Sequence, residues 1–464
     1  MSVPRILIGG VQSGVGKTAL TLSIVAGLKR RGLKVQTFKA GPDFLDPTHL
    51  AMASGRPCYN LDGWMGGRDH VERLFARVTR DADLAVIEGV MGLFDGAEPR
   101  GLEGSSAEIA DWLQAPVLLV VNAHGMARSL AALVAGYAGF EKAVRVDGVI
   151  ANFCGSERHQ ALLAESLAAA GLPPLVGAIP RGGLPEMRSR HLGLVSADPS
   201  ENLTPAILDA LADAAERLLS LDEILRLARQ APSLSLPLPE WDPVPERIRL
   251  GVAHDQAFHF YYQDLFDELG RRGCALVRFS PLRDACLPQG IDGLYLGGGY
   301  PEEFAAALSA NGGMLESIRR FAASGRPLYA ECGGLIYLCR AITTKEGKKY
   351  PLLGLLPAEA RMLDRRKFLG YVEVTLKEDS LWGKAGDMLR GHEFHYSELL
   401  SDPAGQGGWS PAYHLQRRRH GSQAEEGFQH GRMLASYVHL HLASRPEAMG
   451  RFIEMCAWKD ARWP

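Results

Sequence analysis

Apolar positions along the chain fall into short blocks separated by longer stretches with helical spacing. Ile6-Leu7-Ile8, Ala85-Val86-Ile87, Val117-Leu118-Leu119-Val120-Val121, Val149-Ile150 and Leu175-Val176-Gly177 read as buried strands, with helical patterns between them. Such alternation predicts right-handed βαβ crossovers and a mostly parallel sheet with helices on both faces. Leu203 to Ala228 carries amphipathic spacing sufficient for one helix or two. The following APSLSLPLPEWDPVP, residues 231–245, holds five prolines, more than a helix tolerates, and predicts an extended linker. The strand pattern restarts at Arg247-Ile248-Arg249-Leu250-Gly251-Val252-Ala253 and recurs at Leu294-Tyr295-Leu296 and Leu328-Tyr329-Ala330, with helices after Pro301 and Gly334. Beyond residue 356 a period of two takes over, as in Tyr371-Val372-Glu373-Val374 and Ala435-Ser436-Tyr437-Val438. The expectation is an α/β protein of two domains, 1–230 and 247–464, joined by a linker at 231–246.

Composition narrows the function classes. A length of 464 residues with 46% hydrophobic residues suits two domains of roughly 200 residues, each with its own core. A net charge of −2 offers no general attraction to nucleic acid or to an anionic membrane, and Arg417-Arg418-Arg419-His420 reads as a solvated loop. No apolar run approaches the ~20 residues a membrane helix needs. The chain enters its first strand at once, leaving no room for a signal peptide. Seven scattered cysteines without paired CxxC spacing fit a reducing cytoplasm better than a disulfide framework or structural zinc.

Chemistry enters with Gly9-Gly10-Val11-Gln12-Ser13-Gly14-Val15-Gly16-Lys17-Thr18, set between a strand and a helical pattern. Gly10, Gly14 and Gly16 let backbone N–H groups turn toward phosphate oxygens, Lys17 reaches the β- and γ-phosphates, and the Thr18 hydroxyl binds magnesium. Five residues, rather than the usual four, separate Gly10 from Gly16. Glu88 ends a buried strand in IEGVMGLFDG, where an acid can approach the same magnesium. KAGPDFLDPTH, residues 39–49, sets a lysine and two carboxylates on a proline-stiffened loop. Asp46 and Asp43 there are candidates for metal and substrate contact or, equally, turn formers beside proline.

The second half offers a thiol. Cys332, in Tyr329-Ala330-Glu331-Cys332-Gly333-Gly334, lies between a strand and a helix that opens on two glycines, the context of a nucleophile elbow. A tight turn exposes the sulfur, and the Gly333 N–H can face a developing oxyanion. Gly298, in Gly297-Gly298-Gly299-Tyr300, is the candidate second donor. His392-Glu393-Phe394-His395-Tyr396 lacks the HExxH spacing of a zinc protease by one residue, and its alternating pattern predicts a strand edge. The Tyr261-Tyr262 pair is open between substrate contact and helix core.

Taken together, KAGPDFLDPTHL, IEGVMGLFDG, GMARS (125–129), GSERH (155–159), RHLGLV (190–195), AFHFYYQDL, LYLGGGYPE, YAECGGLIYL, GHEFHYS and ASYVHLHLASRP resemble, in order and over nearly the whole chain, the cobyrinate a,c-diamide synthase family. The resemblance implies a dethiobiotin-synthetase-like P-loop domain, with Asn152 near the adenine, followed by a flavodoxin-like class I glutamine amidotransferase domain. It departs at Asn122 and His124, where relatives more often carry Asp and Arg. It implies that Cys332 attacks the glutamine carboxamide, with His439 as the base. His441 stands where many class I relatives carry the orienting glutamate, so a Cys-His dyad is expected, with His441 packed or facing substrate. By the same resemblance His392 and His395 are expected to face a tetrapyrrole, with Tyr261 the candidate to join them if its pair is substrate contact.

The implied reaction is ATP-dependent amidation of the a and c acetate carboxylates of cobyrinate in cobalamin biosynthesis, with Mg²⁺, ATP as cosubstrate and L-glutamine as nitrogen donor. Ammonia then has to pass between the domains. The family's chemistry also suits siroheme, sirohydrochlorin or its nickel form, and hydrogenobyrinate, and it leaves a homodimer open. A partitioning ATPase is the alternative of another class. It needs a lysine at the position of Gln12 and no thiol domain.

Overall fold

The computed structural model describes residues 3–185, 203–236, 244–418 and 421–458. The RHLGLV segment, the middle of the expected linker (237–243), Arg419 and His420 lie outside them. The chain divides into two compact units, Met1–Glu240 and Trp241–Pro464.

In the first unit, strands β1 (Arg5–Gly10), β2 (Val35–Ala40), β3 (Tyr59–Leu61), β4 (Leu84–Glu88), β5 (Val117–Asn122), β6 (Val146–Cys154) and β7 (Leu175–Pro180) form one sheet. Their order is β3-β2-β4-β1-β5-β6-β7, and every pairing is parallel. Successive side chains leave a strand on opposite faces, so each face needs its own cover. Ile6 and Ile8 pack into one core cluster with Val86, Leu118 and Val120, whereas Leu7 joins Ile87, Leu119 and Phe38 in the other. The helices α1 (Lys17–Arg30), α2 (Leu45–Ser54), α3 (Gly63–Val78), α4 (Ser106–Trp112), α5 (Ser129–Phe140) and α6 (Glu157–Ala169) supply that cover. The stretch expected to hold one helix or two holds two, α7 (Pro205–Leu218) and α8 (Leu221–Arg229), with Thr204 capping the first from its side-chain oxygen. Phosphate loop, Glu88 and Asn122 all sit at the carboxyl ends of strands, where open α/β sheets bind ligands.

The second unit opens with β8 (Ile248–Ala253), helix α9 (Gln263–Arg271), β9 (Cys274–Phe279), β10 (Gly293–Leu296), helices α10 (Ala305–Ala310) and α11 (Gly312–Ala323), β11 (Leu328–Glu331) and helix α12 (Gly333–Leu338). Then come β12 (Cys339–Thr343), β13 (Lys349–Pro351), β14 (Leu356–Met362), β15 (Phe368–Leu376), β16 (Met388–His395), β17 (Ser397–Leu399), β18 (Ser410–Arg417), β19 (Gln423–His430), β20 (Met433–Ser436), β21 (Val438–His441) and helix α13 (Glu447–Ala457). The large sheet runs β21-β16-β15-β18-β19-β20-β11-β10-β8-β9, parallel from β20 to β9 and antiparallel in the rest, beside a small sheet β13-β12-β14-β17.

Three expectations change here. The HEFHY segment is no sheet edge, because β16 is paired on both sides, with β15 and with β21. Tyr261 and Tyr262 are not helix core, since they precede α9 and Tyr262 is its N-cap residue. Arg417 is no loop residue. It ends β18, and its Nε and Nη2 donate to the buried Glu393 carboxylate at 2.6 and 2.9 Å. No helix among the described residues is long and apolar enough to cross a membrane.

Candidate active sites

The phosphate loop bridges β1 and α1. Gly14 and Gly16 take left-handed φ values of 76° and 93°, conformations that disfavour any side chain. Gly16 is further constrained by contact: a Cβ there would lie 2.3 Å from Nδ2 of Asn152. That same amide donates to the Val15 carbonyl at 2.8 Å, so the end of β6 holds the loop in shape. Lys17 donates to the carbonyls of Met91 and, at 3.3 Å, Gln12, which folds its ammonium over the loop. Burial and then the neighbouring Lys39 lower its pKa.

Thr18, Lys39, Asp46 and Glu88 come together below the loop. Oε1 of Glu88 accepts from the Thr18 hydroxyl at 2.7 Å and from Lys39 Nζ at 2.9 Å, while Lys39 also donates to Asp46 Oδ2 at 2.7 Å. Burial alone would lower the lysine, but Asp46 and Glu88 more than offset it and hold the ammonium charged. Burial raises the Glu88 carboxyl, and Lys39 pulls it back. Oε2 of Glu88 is buried without a hydrogen-bond partner. An orphaned carboxylate oxygen beside a threonine hydroxyl and a second carboxylate is a donor set that fits a hard divalent cation. Asp43 turns one oxygen back on the chain, accepting from the N–H groups of Leu45 and Asp46 at 2.9 and 3.1 Å, as a turn former does.

In the second unit Cys332 follows β11 directly, at φ 48° and ψ −97°. Its N–H donates to Ser436 O at 2.7 Å, and its thiol faces the Phe394 carbonyl at 3.8 Å. Gly333 packs on the 298–299 turn, where a Cβ would lie 3.0 Å from the Gly299 nitrogen and 3.4 Å from the Gly298 carbonyl carbon. The Gly298 carbonyl is itself fixed by N–H donors from His259 and Phe260 at 3.0 and 3.1 Å. Both candidate oxyanion donors are therefore adjacent on a braced frame. A Cβ at Gly298 would also come within 2.6 Å of Cε1 of His439, so the glycine makes room for the imidazole.

His439 is fully buried, and its Nδ1 lies 2.6 Å from Oε1 of Glu331. Burial works against an imidazolium, yet Cys332 and Glu331 outweigh it and raise His439 to about 10. Beside the expected Cys332–His439 pair a carboxylate reaches the histidine, from the residue preceding the candidate nucleophile. His441, at the position of the usual acid, is buried and points to Asp264, Nε2 to Oδ2 3.4 Å. His392 stacks on His439 with ring centroids 5.0 Å apart and meets the Tyr262 hydroxyl through Nδ1 at 3.0 Å. Burial holds His392 well below the usual histidine range and lowers His395 to about 4. His395 stacks on Tyr437 at 4.0 Å. Both lie in the interior behind the thiol rather than on an open face. The Tyr261 hydroxyl donates to Ala253 O and accepts from Gly297 N at 2.9 Å, so the backbone at the end of β8 and at the start of the glycine turn occupies it.

Comparison with known proteins agrees with this division. Residues 6–195 match the CobQ/CobB/MinD/ParA nucleotide binding domain, and residues 249–447 match the CobB/CobQ-like glutamine amidotransferase domain. A cobyrinate a,c-diamide synthase from Syntrophotalea carbinolica is 54% identical over 457 residues, 98% of this chain and 99% of that one. The chain belongs to the cobyrinate a,c-diamide synthase family. Further relatives of that name come from Leptospira interrogans, 42% identical over 99% of this chain and 100% of its own, and Priestia megaterium, 39% identical over 98% of each. Among solved structures, a glutamine amidotransferase aligns with 45% of this chain and 98% of its own at 19% identity and a TM-score of 0.32.

Within this family chain, sequence reasoning missed two groups. The 39–49 motif shows Lys39 only as a lysine sharing a loop with two carboxylates, and its central place between Asp46 and Glu88 appears only in the fold. Glu331 was read only as a flank of the thiol. The available signal was a lone carboxylate at the end of the apolar strand Leu328-Tyr329-Ala330, where burial demands a partner.

Proposed function

We propose that this protein catalyses the ATP- and glutamine-dependent amidation of the a and c acetate carboxylates of cobyrinate. The observation that carries the proposal is one chain holding both a phosphate loop over a Thr18–Glu88–Lys39–Asp46 cluster and a Cys332–His439 pair beside two oxyanion glycines. The choice of substrate follows the name of relatives that match over nearly the full length.

A carboxylate resists attack by ammonia because oxide is a poor leaving group. Phosphorylation by ATP converts it to an acyl phosphate that ammonia can displace. Gly10, Gly14 and Gly16 turn N–H groups to the phosphates, Lys17 swings from its carbonyl contacts to the β- and γ-oxygens, and Asn152 braces the loop on the adenine side. Thr18, Glu88 and Asp46 are the residues that would hold Mg²⁺, whose charge would offset that of the phosphates. Lys39 adds a fixed positive charge near the transferring group. Asp43 borders the carboxylate to be activated.

In the amidotransferase half, His439 takes the thiol proton, Cys332 attacks the glutamine carboxamide, and the N–H groups of Gly298 and Gly333 receive the oxyanion. His439 then protonates the departing ammonia, and water releases glutamate. His392 and His395 pack behind this centre, and Tyr261 pins the turn that bears Gly298. The near-balanced charge supports small-molecule partners rather than nucleic acid or membrane, and the scattered cysteines support a reducing cytoplasm. Sedimentation would decide between a monomer and a homodimer.

The test is mass spectrometry after incubation with ATP and glutamine on a panel of cobyrinate, hydrogenobyrinate, sirohydrochlorin, its nickel form and siroheme. Two successive OH-to-NH₂ exchanges on cobyrinate are expected. Conversion of siroheme or sirohydrochlorin alone would overturn the substrate assignment, and conversion of nothing would overturn the reaction.

A further inference from the structure

One of the carboxylates buried in the sheet of the second unit, Glu331, is held by two tyrosines and a histidine. β11 ends in Glu331, and Tyr329, two residues earlier, projects on the same side. Tyr295 is the register partner of Tyr329 on the neighbouring β10. Both hydroxyls donate to Oε2 of Glu331, at 2.9 Å from Tyr329 and 3.2 Å from Tyr295. The remaining surroundings are apolar, with Trp382, Leu440 and Phe452 lining a small cavity that the acid shares with the tyrosines. Oε1 is left for His439.

The histidine arrives by a different path. β20 pairs with β11, yet after the single residue Tyr437 the chain begins β21, which among the described residues pairs only with β16, at the far edge of the same sheet. That step brings His439 over the end of β11. An ionised carboxylate can only accept, so the 2.6 Å contact sets the proton on Nδ1 and leaves Nε2 as the face that can take a proton from the thiol. A histidine that is fully buried needs such a partner to become an imidazolium at all.

We propose that Glu331 is the acid of a rearranged Cys332–His439–Glu331 triad, a positioning residue that fixes the tautomer of His439 and stabilises its imidazolium, in place of an acid two residues after the histidine. His441, which stands at that usual place, is turned to Asp264 instead. The consequence is that nucleophile and acid are sequence neighbours on opposite sides of one strained peptide. Tyr295 and Tyr329 then keep the acid from following the substrate.

The proposal rests on Cys332 as the glutamine nucleophile, and its test separates the two. In Glu331→Gln, which keeps size and loses charge, glutamine-driven kcat should fall about 10²–10⁴-fold, the loss typical of an orienting acid. Ammonium-driven amidation should stay within about twofold, because it does not use this centre. The alkaline limb of Cys332 alkylation by iodoacetamide should move to lower pH by about one unit or more, since an opposite charge beside the histidine is gone. Glu331→Asp, with charge kept and reach lost, should restore part of kcat. An unmoved limb together with a kcat loss below about threefold overturns the proposal. Should Glu331→Gln fail to fold, wild-type protein labelled with ¹⁵N-histidine decides: Nδ1 of His439 must carry a proton across the pH range of alkylation, and an unprotonated Nδ1 refutes it. If wild-type enzyme made no use of glutamine, the functional assignment itself would fall first.

Discussion

Each unit buries an ion, but the two ions are made differently. Around Lys39 the charge is permanent: an ammonium whose side chain is 4% exposed sits between Asp46 and Glu88, and no proton has to move for it to exist. Around His439 the charge is conditional on the proposed mechanism, in which the imidazole becomes a cation by taking a proton from the thiol beside it. The comparison teaches that a nucleotide site can be preset electrostatically, whereas a thiol site has to remain poised between two protonation states. The pH ranges in which they change differ accordingly, because burial raises the Glu88 carboxyl to about 7, whereas His439, against burial, is raised to about 10 by Cys332 and Glu331.

The widest separation of the two halves should come from Cys332→Ala. Glutamine-driven amidation should drop roughly 10³-fold or more while ammonium-driven amidation persists, because only the second unit loses its chemistry. Parallel loss with both nitrogen sources would erase the contrast. Next comes Lys39→Met, expected to depress both nitrogen sources about 10²–10³-fold. It should also destabilise the first unit by about 3–5 kcal/mol, since Asp46 and Glu88 would stay buried without their cation. Denaturant titration beside a rate assay reads both effects, and a variant that is slow only with glutamine would contradict the assignment.

The smallest effect is a pH dependence of stability confined to the second unit. The folded pKa of His439, raised to about 10, lies above the value of about 6.5 expected unfolded. The associated stabilisation is therefore complete below about pH 6.5 and is lost as pH rises through 10. Hydrogen exchange should show residues near β21 losing protection from pH 7 toward 10, with no matching loss around Lys39. In Cys332→Ala, which removes one of the two groups that hold the proton, the loss should be smaller and should end at lower pH, because the folded pKa falls toward the unfolded one. Equal loss in both units would mean that the second ion is no more conditional than the first.

How far the chain could be read before folding differed along the same line. The phosphate loop, Glu88 and the βαβ order were legible because each lies within a contiguous motif whose spacing carries its geometry. The glycine turn at 297–299 and the thiol elbow were legible for the same reason. The acid was not: Glu331 meets His439 across 108 positions, through a sheet whose chain jumps from β20 to β21 after one residue. The HEFHY segment misled because its polar and aromatic alternation resembles an edge strand. Its histidines are instead absorbed inside, by Tyr262, Tyr437 and His439 itself. Local pattern encodes local geometry, and a buried polar contact between distant strands leaves only a faint trace, a charge where an apolar residue would do.

The turn at Cys332 has an evolutionary corollary. Its φ of 48° with ψ −97° is a conformation that costs a side-chain-bearing residue about 1–3 kcal/mol. Glycine would relieve much of that, so Cys332→Gly should melt at a higher denaturant concentration than the wild type while being unable to use glutamine. For a protein selected on stability alone, the nucleophile would be the first residue to drift away. A cysteine kept at so strained a turn is what selection for the proposed catalysis predicts, and sequences that have turned to other work should carry glycine here before they lose anything else in the fold.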